Sequence, residues 1–382
     1  MHSAYSGGVK TIELSYSLTA REAGPQAIRN RMMEVLHAVR QQGSIGAAAK
    51  ALDQSYRHVW GELKRWESEL GRSLIMWEKG QPARLSEFGD KLLWAEQQAQ
   101  ARLAPQIEAL HADLERVFAV AYDDSAHVLT LYASHDDALV ALREHAAAHA
   151  RLHLDIRFTG SVDAISALNE GRCVLAGFHT TAQPADGAPA SSGLAQRTYQ
   201  PLLQPGRHKI IGFARRSQGL VVARGNPLGI RSLADLEARA ARYVNRALGT
   251  GTRLLAEQLL AQAELQPGGI DGWQRTEPSH AAVAQAIASG AADAGLAIEA
   301  AARVRNLGFV PLVQETYYLV CLRSALEQPP MLALREVLGS PAWQARIAQL
   351  AGYAPYRSGE VLSLKQQLPW WRYPRAKKPR TG

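Results

Sequence analysis

The sequence predicts an α/β protein that carries an all-α, winged-helix amino-terminal domain. Three observations predict this. A helix, short turn, helix pattern lies within residues 27–71, alternating strand-like and helix-like runs begin near residue 127, and 382 residues exceed one ordinary domain. Hydrophobic residues make up 47% and charged residues 20% of the chain, a composition that folds into a packed core. The net charge of +8 suits a polyanion partner and equally suits a basic surface with no such role. The two cysteines, Cys173 and Cys321, sit in apolar runs (CVLAGF, YYLVCL) and read as buried thiols, which argues against a disulfide framework or a cysteine metal site. The start MHSAYSGGVKTIEL lacks the apolar core of a secretion signal, and no long apolar stretch follows, so a cytoplasmic location is expected.

After a leader (1–26), AIRNRMMEVLHAVRQQGS places Ile28, Met32, Val35, Leu36 and Val39 at helical spacing. Gly43 stops that helix and Ser44 can cap the next, the small-faced AAAKAL. Asp53-Gln54 makes a turn, Ser55 caps a third helix, and Gly71 ends it. In SYRHVWGELKRWESELG, Val59, Leu63, Trp66 and Leu70 form the apolar stripe. A reading helix contacts DNA with residues near its amino end, so Ser55, Tyr56, Arg57 and His58 are the leading candidates, with Lys64 and Arg65 further along. Arginine can take a guanine edge in a bidentate way, whereas serine, tyrosine and lysine can hold phosphates. A solvated amphipathic helix is the plainer alternative. Next, LIMWEKGQPARLSEFGDKLL has a Lys-Gly-Gln-Pro tip between two short runs, a wing hairpin whose Lys79 and Arg84 would touch the DNA backbone.

GSIGAAAKALDQSYRHVWGELKRWESELG followed by RLSEFGDKLL resembles the winged helix of ModE-type, molybdate-responsive regulators. LysR-type regulators are more distant relatives of the same plan. The resemblance covers about 28–93 and implies a double-stranded DNA operator as partner.

A connecting helix runs from Ser86 to about Val120, with Leu103, Ile107, Leu110, Leu114 and Val117 in a heptad seam. The seam reads as the contact of a homodimer or higher homo-oligomer; packing on its own domain is the alternative. Pro105 is expected to split or kink this helix.

From His127 the chain reads strand, helix, strand, helix, strand, the texture of a parallel sheet. The strands end in helix-starting turns at Ser134-His135-Asp136, Gly160-Ser161 and Gly177-Phe178-His179, where ligands bind in open α/β sheets. A second set follows, with YVNR as strand, GTGTR as turn and LLAEQLLAQA (254–263) as helix. NRALGTGTR is not a nucleotide loop, because no lysine follows Gly251 and position 254 is leucine rather than glycine. What remains is a general anion turn, to which Arg246 or Arg253 adds charge.

SHD, FTGS, GFH, ARGNPLGIRSLADL, NRALGTGTR and SGAADAGLAIEAAA together resemble a type II periplasmic-binding-protein domain, and more narrowly the family labelled molybdate-binding that is fused to ModE-like winged helices. The resemblance covers about 127–355 and implies two lobes closing on a small anionic effector, of molybdate or tungstate type. An organic acid or pterin-like ligand stays open, as Arg246 and His179 would suit either. Carried over, it places ligand contacts at Ser134, His135, Gly160, Ser161 and His179 in one lobe, and Asn245, Arg246, Thr250, Gly251 and Thr252 in the other, with Tyr317 closing the site. Each has a plainer reading: Ser134, Ser161 and Thr252 as helix caps, Arg246 as a surface ion pair, His179 as a core histidine.

Two other features carry less. His145, His149 and His153 are spaced by four, but no acidic or thiol partner is near and His153 falls past the helix. The tail LPWWRYPRAKKPRTG is basic, either an auxiliary nucleic-acid arm or a plain solvated end. The domains expected are a leader (1–26), a winged helix (27–93), a connecting helix (94–122), a two-lobed sensing domain (127–358) and a basic tail (359–382). No cofactor or metal is called for. Ser, His and Asp adjacent in SHD point apart at a helix start, so they do not form a hydrolytic relay and no enzyme is expected.

Overall fold

The computed structural model describes residues 30–76, 82–122, 125–181 and 193–368. Two compact units divide at Leu93/Trp94. The expected leader, Ile28, the wing residue Lys79 and residues 369–382 of the tail lie outside the described residues.

In the first unit, α1 (Arg31–Gln42), α2 (Ile45–Ala51) and α3 (Tyr56–Leu70) pack around Val35, Leu36, Val39, Val59 and Leu63. The punctuation is local. Gly43 and Gly71 adopt the left-handed conformation that ends α1 and α3. The Ser44 and Ser55 hydroxyls accept the backbone N–H groups of Ala47 and His58. A two-stranded hairpin follows, β1 (Ile75–Met76) antiparallel to β2 (Arg84–Leu85). The Glu67 carboxylate fastens it to α3, accepting from the backbone of Leu74 at 2.8 Å and Ile75 at 3.2 Å.

Helix α4 spans Glu87–Tyr122 without a break, so Pro105 does not divide it. Proline removes the N–H that would bond the carbonyl four residues back, that of Ala101. In compensation, the Ser279 hydroxyl donates to Ala101 O at 3.1 Å.

The second unit alternates strands and helices: β3 (His127–Ala133), α5 (Asp137–Ala150), β4 (Leu152–Phe158), α6 (Ser161–Asn169), β5 (Leu175–Thr181), α7 (Gly193–Tyr199) and the long β6 (His208–Val222). There follow α8 (Ala234–Ala238), β7 (Tyr243–Arg246), α9 (Gly251–Gln262), β8 (Thr276–Glu277), α10 (His280–Ala288), β9 (Ala294–Ile298), α11 (Glu299–Val304) and the equally long β10 (Gly308–Leu322). Helices α12 (Pro329–Gly339) and α13 (Pro341–Ala348), strands β11 (Tyr353–Pro355) and β12 (Val361–Leu362) and helix α14 (Leu364–Gln367) complete it. One sheet runs β4-β3-β5-β10-β6-β9-β7-β8, with β11 and β12 also on β6. The 15-residue strands β6 and β10 pair antiparallel and serve both halves: the second half of β10 pairs with β5, the second half of β6 with β9. This is the α/β effector fold the sequence predicts, but its sheet is mixed rather than parallel, because β6 and β10 run antiparallel to their neighbours. Its boundary needs correction: Val361 pairs with Ile211, and Leu362, Leu364 and Leu368 are buried, so 359–368 belong to the fold and not to a tail.

Candidate functional site

On α3, Tyr56, Arg57 and His58 are exposed on the first turn, and the Tyr56 ring stacks on Trp60 with centroids 6.3 Å apart. Arg57 has no ion pair among the described residues. Lys64 and Arg65, also exposed, are paired with Glu67 at 2.7 Å and Glu69 at 3.7 Å. Such exposed pairs are weak, about 0.2–1 kcal/mol, and can exchange for another anion. His58 lies 3.7 Å from Glu62, and Arg84 is exposed on β2.

The second site is assembled at the carboxyl ends of β3, β4, β5 and β7, where the two halves of the sheet meet. A Cβ at Gly160 would lie 2.6 Å from the carbonyl oxygen of Gly249, and one at Gly251 would lie 3.2 Å from His179 Nδ1 and 3.5 Å from Ser161 Oγ. The turn after β4 and the first turn of α9 therefore touch, which only glycine permits at 160. The Tyr317 ring lies over His179 at 3.9 Å. Arg216, on β6, donates to Asp136 and to Glu315 Oε2 at 3.0 Å. Gln218 links Glu315, at 2.6 Å, to the Thr252 hydroxyl, at 3.1 Å, and Tyr353 donates to Asp136 at 2.8 Å.

Several buried polar atoms in this cluster have no partner among the described residues: Ser134 Oγ, both nitrogens of His179, Tyr317 OH, His280 Nδ1 and Arg246 Nε. Arg246 is 2% exposed, and among the described residues its guanidinium makes one hydrogen bond, from Nη1 to the Glu277 carbonyl at 3.4 Å. Burial first, and then the charge of Arg216, bring its pKa down to about 9. Burial also opposes the charge on Arg216, but Glu315 and Asp136 outweigh it and hold that guanidinium firmly protonated. Burial together with Arg216 and Arg246 pushes His179 well below the usual imidazole range. The same causes act on His280, with His135 and His179 adding to them. A buried cation with no carboxylate on it, facing neutral donors and a helix amino terminus, is an arrangement that takes up an anion.

Of the residues the sequence nominates, Ser134, Gly160, Ser161, His179, Arg246, Gly251, Thr252 and Tyr317 come together here. Others turn elsewhere. His135 bonds Glu108 on α4 at 3.0 Å. Asn245 holds the loop, accepting from Arg246 N and donating to Trp273 O at 3.3 Å. Thr250 is the true cap of α9, accepting from Arg253 N, and the helix starts at Gly251, three residues earlier than expected. Arg253 is spent on Glu257 at 2.7 Å and the Trp273 ring. None of Ser134, Ser161 and Thr252 caps a helix with its side chain: Asp136 caps α5, Gly160 precedes α6 without a side-chain cap, and the Ser161 hydroxyl is buried without a partner among the described residues. Sequence reasoning missed Arg216, Gln218, Glu315 and His280. The signal for the first three was charged and amide residues inside strand runs (ARRSQGLVV, VQETYYLV) that are otherwise apolar. His145 and His149 stack at 4.1 Å on α5 with His153 on β4, and no group of three or more metal ligands occurs among the described residues.

The fold and the two sites define the class first: a helix-turn-helix domain joined to an α/β domain with a buried polar cleft. Residues 142–339, more than half of the chain, match the PBP superfamily domain, and the chain belongs to that superfamily. Residues 30–90 match the bacterial regulatory helix-turn-helix protein, lysR family. The chain combines a LysR-type helix-turn-helix with a PBP-like domain. LysR-type, placed above as the more distant relative, is thus the family matched.

The chain is 28% identical over 207 residues to the uncharacterized protein YvgK of Bacillus subtilis, covering 54% of this chain and 64% of that one. It is 29% identical over 111 residues to an uncharacterized protein in the ferredoxin 2Fe-2S gene 5' region of Clostridium pasteurianum, covering 29% of this chain and 98% of the relative. Among solved structures, a Corynebacterium glutamicum OxyR C206 mutant aligns with TM-score 0.39 and 16% identity over 83% of this chain and 95% of its own. Full-length CbnR complexed with target DNA aligns with TM-score 0.35 and 18% identity over 79% and 95%. Scores this low transfer no residue's role. No helix among the described residues is long and apolar enough to cross a membrane.

Proposed function

We propose that this chain is a cytoplasmic, one-component transcription regulator: α3 reads a double-stranded operator, and the cleft around Arg246 senses a small anion. The observation that carries the effector reading is Arg246 itself, buried, with no carboxylate bonded to it among the described residues and with hydroxyl and imidazole groups around it that likewise lack partners there. On the DNA side, Arg57 supplies an exposed guanidinium at the amino end of α3, with Tyr56, His58 and the capping Ser55 beside it, Ser44 at the start of α2, and Lys64, Arg65, Lys79 and Arg84 for phosphates. Leu103, Leu110 and Val117 recur every seven residues along α4 and are 36%, 52% and 58% exposed, a stripe that suits pairing with a second copy. Pairing would set two reading helices at half-site spacing.

Molybdate or tungstate is the first effector to try, and an organic acid or pterin-like anion the second. The second reading has one observation in its favour. Asp136 and Glu315 line the same cluster, and these carboxylates repel a compact dianion more than a planar monoanion. The test is a thermal-shift panel on the full chain with molybdate, tungstate, sulfate, phosphate, formate and larger organic acids, run beside selection of bound duplexes from a random DNA pool. A ligand at ~100 times its Kd stabilises the folded state by about 2.7 kcal/mol, a readable shift. Response to the two metal oxyanions alone fixes the oxyanion reading; response to an organic acid alone replaces it; no enriched duplex removes the operator.

A further inference from the structure

Arg246 and Glu277 are register partners on the adjacent parallel strands β7 and β8, so their side chains leave the same face of the sheet. An arginine and a glutamate so placed would ordinarily pair. They do not. Among the described residues the Arg246 guanidinium reaches only the Glu277 backbone carbonyl, and the Glu277 carboxylate, itself buried, is taken by α4. Arg102 grips it with both ends of its guanidinium, Nε to Oε2 at 2.9 Å and Nη2 to Oε1 at 2.7 Å, and Gln98 adds a bond to Oε1 at 3.1 Å. The two-point grip is the strongest geometry an arginine and a carboxylate can form. Next to Arg102 on α4, the Ala101 carbonyl accepts from the Ser279 hydroxyl, two residues after Glu277.

We infer that Arg102, with Gln98, is a positioning residue for the anion site: by keeping the Glu277 carboxylate on α4, it leaves the Arg246 charge without a counter-ion inside the protein. This rests on the reading of the cleft as an anion site. Glu277 then has two exclusive partners. While Arg102 holds it, Arg246 is available to an anion; released, it swings to Arg246 and fills the anion's place. An anion on Arg246 and the grip of α4 on Glu277 therefore strengthen each other, because each removes the competitor of the other, and the coupling is reciprocal. Seven-residue spacing of the exposed apolar stripe on the same helix gives that coupling an outlet in a paired regulator.

The test is a double-mutant cycle on the thermal midpoint of the full chain, without effector or DNA. Arg102 is more than half exposed, so Arg102→Ala leaves the fold intact. Alone it costs little, because Glu277 moves to Arg246. Arg246→Met alone costs little or raises the midpoint, because it removes an unpaired buried charge. Together they strand Glu277, and the midpoint falls by about 4 °C or more beyond the sum of the two single changes. In a Glu277→Gln background that excess vanishes. Strict additivity of Arg102→Ala and Arg246→Met, or an excess that survives Glu277→Gln, overturns the inference. Because the cycle uses no effector, its failure is separate from failure of the anion panel, which would leave the Arg102–Glu277–Arg246 competition standing as a structural device.

Discussion

The ring of Tyr317 lies 3.9 Å from the ring of His179, yet neither its hydroxyl nor either imidazole nitrogen has a hydrogen-bond partner among the described residues. Tyr317 is fully buried, so this hydroxyl costs the folded state stability, of order 1–3 kcal/mol for such a group. Tyr317→Phe keeps the ring on His179 and removes only the unpaired oxygen. The expected outcome is a urea midpoint raised by about 1 kcal/mol of stability, with weaker binding of whichever anion responds in the thermal-shift panel. A phenylalanine variant less stable than the parent would mean that the hydroxyl has a structural partner after all.

Acid should loosen this unit through His179 and His280. Burial and the neighbouring Arg216 and Arg246 hold both imidazoles neutral in the folded state, with pKa values well below 6.5. The unfolded chain titrates them near 6.5, so below that pH it binds protons the folded chain refuses. Stability is therefore full above pH 6.5 and declines as pH falls toward the folded values, by about 1.4 kcal/mol per pH unit for each histidine. Urea midpoints at pH 7 and pH 5 should differ more for the parent than for His179→Gln/His280→Gln. Equal pH dependence in the two proteins would remove these histidines from the account.

How much of this was legible in the sequence follows from distance along the chain. Gly43, Ser44, Ser55 and Gly71 act on neighbours three or four residues away, and their capping roles could be read directly. The cleft turns at Ser134, Gly160 and Gly251 were legible because strand-to-helix turns carry local signals. Arg216 was not, since its partners Asp136 and Glu315 lie 80 and 99 residues away, brought to it by the cap of α5 and by the pairing of β10 with β6. The direction of a side chain was equally hidden: His135, adjacent to Ser134 in the turn, points to Glu108.

DNA binding should separate the cations of α3 by what already holds them. Arg57 is exposed and has no ion pair among the described residues, whereas Lys64 is paired with Glu67. Arg57→Ala is expected to cost specific binding about 1–3 kcal/mol and to relax base preference at one position. Lys64→Ala should weaken specific and random duplexes alike and lower the salt slope by about 0.9. Titrations of a selected duplex and a random one at several salt concentrations distinguish these. If Arg57→Ala weakens both duplexes equally, Arg57 touches phosphate and the base reader lies elsewhere on the helix.

Pro105 allows a prediction of a different kind, because the helix tolerates it through a donor 178 residues away in sequence. The Ala101 carbonyl loses its ordinary partner to the proline ring and accepts the Ser279 hydroxyl instead. That oxygen works twice, since Ser279 also caps α10 by accepting from Ala282 N at 3.0 Å. Ser279→Ala should thus cost both a cap, about 1 kcal/mol, and a buried carbonyl left bare, about 1–3 kcal/mol. Pro105→Ala restores an N–H to the Ala101 carbonyl within the helix. In that background the second part of the cost disappears and only the cap is lost, so the serine change should become the milder one. Chemical unfolding of the four proteins in this cycle decides the matter. An unchanged cost of Ser279→Ala in the alanine background would mean that the hydroxyl serves α10 alone and that α4 satisfies the carbonyl in another way.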